Sequence, residues 1–225
     1  MHINLNPISN HAFLDFHTHS LREHDRDDVI EIVSIHLGQD KPHDLFTIGM
    51  HPWWTDDPIT PEQKTRLVSE LTKPACLAMG EIGLDNLKGP DMVLQMNILR
   101  SLLDVAKETG KPVIIHCVRA FDQLLKIKKE YPSIEKWCVH GYGRHNTLAK
   151  QLIDQGFHLS LMPSKDEKYA EWFKSLPMER LFLETDSMPN VRITQVYEQV
   201  AEVTGMSLHA LKNQMSQNAK EFFRL

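Results

Sequence analysis

Cysteine is scarce in this chain. Its 225 residues include three, Cys76, Cys117 and Cys138, widely spaced and without a CxxC pair. That excludes a disulfide framework and a cysteine-built zinc site, and it points to a reducing compartment. Long apolar runs are missing too, so no membrane span is expected. Met1 to Phe13 lacks the basic stretch and apolar run of a signal peptide. A cytoplasmic protein is the expectation. An excess of positive charge is also absent. Lys and Arg number 25 against 30 Asp and Glu, for a formal net charge of −5. A protein that wraps nucleic acid through a broad basic surface is therefore disfavoured. An enzyme that handles one phosphate at a time is not, because bound divalent ions supply positive charge locally. No repeat, low-complexity stretch or Pro/Gly/Ser linker divides the chain. A single domain over residues 1–225 is expected, at a length typical of one α/β barrel.

What the chain does have is an alternation of short β-rich segments with amphipathic stretches. The strand candidates are Ala12–His17, Ile30–His36, Leu45–Met50, Cys76–Glu81, Pro112–His116, Lys136–His140, Phe157–Leu161 and Arg180–Thr185. Helical patterns cover Pro61–Leu71, Asp91–Glu108, Ala120–Glu130, Asn146–Asp154, Lys165–Lys174, Ile193–Val203 and Leu208–Phe223. Some carry clear end signals: Thr60 as N-cap before Pro61, Gly110 and Pro112 after the second helix, and Gly156 after the fourth. Strands alternating with helices imply parallel βα units. Eight of them in this length imply a somewhat shortened (β/α)8 barrel of TIM type. The first two connections are too short for ordinary helices, and Gly38–His43 reads as a loop.

Histidine is the one unusual abundance, at 13 residues. His17 and His19, in Asp15-Phe16-His17-Thr18-His19, stand two apart at a strand end. Strand alternation then turns both imidazoles to one face, a geometry suited to one metal ion. An HxH pair alone is weak, since two surface histidines would look the same. Further polar residues strengthen it: Glu81, between Gly80 and Gly83; His116, after Val113-Ile114-Ile115; His140, after Val139; and Asp186, after Leu183-Glu184-Thr185. Singly each has a plain structural explanation, such as Asp186 capping a helix or Glu81 pairing with a lysine. Barrel active sites form at the carboxyl ends of strands, however, and these residues fall there on separate strands. Mixed nitrogen and oxygen ligands suit one or two divalent ions, zinc, manganese or magnesium. Six ligands exceed one tetrahedral site, so a pair of ions bridged by Glu81 is expected. Asp186 would accept a proton from the attacking water, whose pKa the ions lower.

The strings DFHTHS, GMHPWW, MGEIGLD, VIIHC, VHGYG and LFLETDS occur in the order that characterises the TatD family of metal-dependent deoxyribonucleases, within the amidohydrolase-like barrels. The chain resembles that family from Asp15 to about Asn218. The resemblance implies His17, His19, Glu81, His116, His140 and Asp186 as metal ligands and Asp186 as general base. It implies cleavage of phosphodiester bonds with divalent ions, and DNA or RNA ends as substrate. The chain departs from the family pattern around the substrate: Asn86 replaces an aromatic residue, Val118 intervenes before Arg119, His140-Gly141-Tyr142-Gly143 replaces HCFSG, and the stretch after LETD is short.

His51, in Gly49-Met50-His51-Pro52, and Arg119 are the candidate substrate contacts. Trp53 and Trp54 would either stack on a base or pack beneath a loop, with packing the commoner outcome. Glu184 and Asp15 are candidates to orient histidine ligands. Two other classes stay open on the same residues: a metal-dependent hydrolase of another ester, amide or small phosphoester, and a non-catalytic metal-binding barrel.

Overall fold

The structure, a computed structural model, describes residues 8–19, 21, 26–40 and 45–225. Eight strands follow one another in chain order in one sheet: β1 Phe13–Thr18, β2 Val29–His36, β3 Phe46–Gly49, β4 Cys76–Asp85, β5 Val113–Val118, β6 Trp137–Tyr142, β7 Phe157–Leu161 and β8 Leu181–Leu183. The helices are α1 Pro61–Leu71, α2 Met92–Thr109, α3 Phe121–Glu130, α4 Asn146–Asp154, α5 Asp166–Ser175, α6 Ile193–Thr204 and α7 Leu208–Phe223. Paired neighbours are parallel, as βα units require. Residues 20, 22–25 and 41–44, which fall in the two expected front loops, lie outside the described residues. Among the described residues no helix is long and apolar enough to cross a membrane.

The contacts divide the chain into two compact units, residues 33–140 and residues 1–32 with 141–225. In the first, β3, β4 and β5 form the centre. All ten residues of β4 are buried, and β4 pairs with β3 on one edge and β5 on the other. Helix α1 starts where the sequence says it should, because Thr60 accepts from the Gln63 N–H and Gln63 answers at the Thr60 N–H. Helix α2 is capped by Asp91 and ends at Gly110, whose φ of 67° is a conformation glycine enters without strain. Its buried Gln95 ties down the segment after β4, accepting from the Asp85 N–H and donating to the carbonyls of Asp85, Lys88 and Pro90.

In the second unit β8 returns to β1. The Asp186 N–H donates to the His17 carbonyl at 2.9 Å, and the buried Asp15 carboxylate accepts from the Thr185 N–H at 2.9 Å and from the Thr185 hydroxyl. An aromatic cluster lies behind this seam, with Phe16 stacked on Phe182 at 3.9 Å and flanked by Phe222 and Phe223 of α7. His158 belongs to it, stacked on Phe182 and edge-on to Phe222, so this histidine fills the core. Tyr197 of α6 clips β1, its hydroxyl accepting from the Leu14 N–H and donating to the Leu14 carbonyl.

The expected elements are all present, with one correction that touches the site. Strand β4 does not stop at Glu81 but runs on to Asp85. Glu81 therefore sits mid-strand rather than at its end. The glycines around it serve close strand approach rather than a turn: a Cβ at Gly80 would fall 2.7 Å from the Ile114 Cβ, and one at Gly83 would fall 1.9 Å from the His116 carbonyl oxygen.

Candidate metal centre

The histidines of residues 33–140 converge on one carboxylate. Glu81 Oε1 lies 2.9 Å from His51 Nε2, 2.9 Å from His116 Nδ1 and 2.7 Å from His140 Nε2. All four side chains are buried. They come from different elements: Glu81 from β4, His116 from the fourth position of β5, His140 from the fourth position of β6, and His51 from the turn that follows β3. The Gly80–Glu81 peptide bond is cis. Strand alternation selects the histidines. His116 turns inward while Cys117 next to it turns to the other side, and both are packed. Cys138 and Cys76 are buried as well, and burial pushes the Cys76 thiol up to about 12.

A second row of contacts holds these rings. His116 Nε2 lies 3.0 Å from Asp85 Oδ2, and the Trp53 indole N–H donates to the same oxygen at 2.6 Å. Burial works to raise the Asp85 pKa, but the contacts from His116, Trp53 and the Leu87 N–H outweigh it, so the carboxyl is held below its usual range. Asp85 is thus an anion at neutral pH, fit to fix the tautomer and ring orientation of His116. Burial pulls the His51 pKa below the ordinary imidazole value, against the opposing pull of Glu81. Its Nδ1 accepts the Trp53 N–H at 3.1 Å, which leaves Nε2 directed at Glu81.

The other unit carries its own group. His17 occupies the fifth position of β1 and is fully buried, while His19 follows the strand and is partly exposed. Their rings stand edge to face with centroids 5.1 Å apart. His19 Nε2 lies 3.3 Å from Asp186 Oδ1. Asp186 follows β8 with φ 50°, the left-handed region that aspartate enters more easily than most residues. It does not cap a helix, since the residue before α6 is Arg192. Glu184 accepts from the Gly141 N–H at 2.6 Å, and Gly141 itself adopts φ 60°.

Two within-unit trios therefore offer metal ligands: His51, Glu81 and His116, and His17, His19 and Asp186, with ligand atoms of each trio within 4.8 Å of one another. Imidazole nitrogens and carboxylate oxygens in such sets are the donors that zinc, manganese and similar divalent ions take. The donor chemistry fits the expected cofactor.

Of the expected ligands, His17, His19 and Asp186 stand in one group, and Glu81, His116 and His140 stand in the other, where His140 meets Glu81. His51, expected as a substrate contact, is drawn into the Glu81 contacts. Arg119 is not; it stands exposed with φ 51° in the turn before α3. The residue that the sequence reading missed is Asp85. Its signal was the fixed offset from Glu81: four residues on, in a strand, is the same face. The presumed end of the strand at Glu81 hid it.

Comparison with known proteins agrees with this chemistry. The family model described as TatD related DNase matches residues 33–224. A metal-dependent hydrolase of Escherichia coli K12, YcfH, is 27% identical over 199 residues, covering 80% of this chain and 74% of the relative. A zebrafish protein named "Putative deoxyribonuclease tatdn3" is 29% identical over 168 residues, covering 67% and 63%. The crystal structure of YjjV, a TatD homologue from Escherichia coli K12, superposes with a TM-score of 0.72 at 21% identity, covering 87% of this chain and 86% of that one. The fold is accordingly the eight-stranded parallel α/β barrel, and the chain belongs to the TatD family of metal-dependent hydrolases.

Proposed function

We propose that this hydrolase is a phosphodiesterase that cuts DNA or RNA ends, with His17, His19, Glu81, His116, His140 and Asp186 as ligands of one or two divalent ions and Glu81 as the bridging carboxylate. The observation that carries the reading is the ring of three imidazole nitrogens 2.7–2.9 Å from a single oxygen of buried Glu81. Such ions, zinc, manganese or magnesium, lower the pKa of a coordinated water and take up charge developing on phosphoryl oxygens. The chain's own groups supply the rest. The Asp186 carboxylate would orient the attacking water and take its proton at an Oδ atom as the new P–O bond forms and the scissile P–O bond breaks, the leaving sugar oxygen taking a proton from solvent water. Asp85 keeps His116 in one tautomer, and Glu184 anchors the backbone after His140 through the Gly141 N–H. His51 and Arg119 are assigned to the substrate phosphate. The family description and the zebrafish relative's name support a nucleic-acid substrate. The whole chain is read as one catalytic domain, and its few, widely spaced cysteines favour the reducing cytoplasm.

The net charge of −5 and the exposed position of Arg119 favour a second reading, in which the substrate is a small ester or phosphoester. The experiment is hydrolysis of a single-stranded oligonucleotide by chelator-stripped protein, with magnesium, manganese or zinc added back. Metal-dependent cutting that vanishes in Asp186→Ala is expected. Equal behaviour of wild type and variant with every metal removes the nuclease reading and directs attention to small esters.

A further inference from the structure

Two adjacent tryptophans stand beside the Glu81 cluster, and their surroundings differ. Trp53 is committed. Its indole N–H donates to Asp85 at 2.6 Å, and the Lys88 ammonium sits 3.9 Å from its ring centroid. The Lys88 segment is itself pressed onto the turn: a Cβ at Gly89 would meet the Pro52 carbonyl oxygen at 2.4 Å. Trp54 turns the other way, with its ring at 90° to that of Trp53. It is 56% exposed, the largest exposed apolar side chain among the described residues.

Trp54 is nevertheless held in place. Its N–H donates to the His51 carbonyl at 3.1 Å, closing the turn. The same carbonyl accepts from the buried Thr55 hydroxyl at 2.9 Å. The His51 ring lies 4.8 Å from the Trp54 centroid and the His36 ring stands edge-on at 5.7 Å. His36 in turn accepts the His51 N–H at 3.2 Å. His51 is the link to chemistry, because its Nε2 reaches Glu81 at 2.9 Å. One imidazole thus separates an open indole from the carboxylate on which the candidate ligands converge.

An indole fixed on one side and open on the other is a stacking surface for a flat π system. Nucleobases suit it, since every base has a π face and aromatic stacking does not depend on sequence. We propose that Trp54 stacks on a base of the substrate strand next to the scissile phosphate, while Trp53 supports Asp85 and takes no part in substrate binding. The inference rests on the nucleic-acid reading and sharpens it: with net charge −5, affinity for a strand would come from stacking more than from a basic groove, with weak dependence on sequence.

The test compares ligands that differ only in the base. Binding of deoxyadenosine monophosphate and of deoxyribose 5-phosphate is measured calorimetrically on manganese-loaded wild type, Trp54→Ala and Trp54→Phe. In wild type the base-bearing ligand should bind roughly tenfold more tightly or better. Trp54→Ala should abolish most of that ratio, and Trp54→Phe should restore much of it. The same ratio is then read in hydrolysis of an oligonucleotide against its counterpart with abasic residues. A ratio that is near one in wild type, or unchanged in Trp54→Ala, overturns the stacking assignment. Loss of both ligands in equal proportion does so as well, since it marks a purely structural support of His51. Stacking that is seen in the binding ratio without oligonucleotide hydrolysis upholds Trp54 and moves the failure to the nuclease reading.

Discussion

Asp85 shows how much rests on one carboxylate. It accepts from Trp53 and contacts His116 through the same oxygen, and its other oxygen accepts the Leu87 N–H at 2.7 Å. Asp85→Ala removes the acceptor of a buried indole N–H and the partner of His116, a proposed ligand. Outer partners of metal-binding histidines are worth about 10–100-fold in affinity or activity. Manganese titration of Asp85→Ala should therefore show weakening of that order. Asp85→Asn should recover part of it, because its amide oxygen still accepts from Trp53. Gly83 makes the opposite point, about space. With φ 155° and a would-be Cβ 1.9 Å from the His116 carbonyl oxygen, Gly83→Ala forces β4 and β5 apart beside His116. The expected cost is about 3 kcal/mol or more, read as a fall in the urea midpoint. These two residues lie in the same motif, but neither role could be assigned from the string alone. A histidine partner and a facing carbonyl both belong to β5, some thirty residues away in the chain.

At the scale of the element, helix placement follows from local chemistry and is correspondingly legible. Helices α1, α4 and α7 begin and end where apolar spacing and caps place them, with Thr60, His145 and Ser207 each accepting a backbone N–H at the N-terminus. Strand ends were less legible. The run Cys76–Glu81 reads as a complete strand because Gly80 and Gly83 look like punctuation, yet β4 continues through both. Burial on both faces and pairing with β3 and β5 override the weak strand preference of glycine. How an element is fastened to its neighbours is equally a tertiary matter. Helix α6 is pinned to β1 by the Tyr197 hydroxyl, buried against both polar groups of Leu14. Burial holds that phenol far above the ordinary tyrosine range, so it stays protonated and able to donate. Tyr197→Phe leaves the Leu14 groups short of a partner at a cost of about 1–3 kcal/mol. The denaturant midpoint should fall with the slope unchanged.

For the whole molecule, metal bound at the proposed ligands would make metal content a stability variable. A ligand bound only by the native state at a hundred times its dissociation constant adds about 2.7 kcal/mol. In a chain of this size that raises the melting temperature by roughly 5–10 °C. Chelator-stripped protein should melt lower by that amount, and manganese or zinc should restore it. His116→Ala should blunt the restoration, whereas a metal-free protein that melts at the same temperature as the loaded one would leave the ligand set without support.

The amino-acid sequence by itself determined the alternation of strands and helices and the eightfold count, and it supplied the residue types and order of the proposed ligands, because periodicity, capping and the DFHTH, GEIGLD and LETD strings are local properties. Only the tertiary structure decided that His51 joins the Glu81 contacts, that Arg119 stands exposed before α3, that Asp85 is the partner of His116, and that Trp53 is committed while Trp54 is open. The physical reason is the same in each case. These are distances between side chains on different strands and turns, set by how β3, β4 and β5 pair and by glycines that let them approach, and no window of sequence contains both partners.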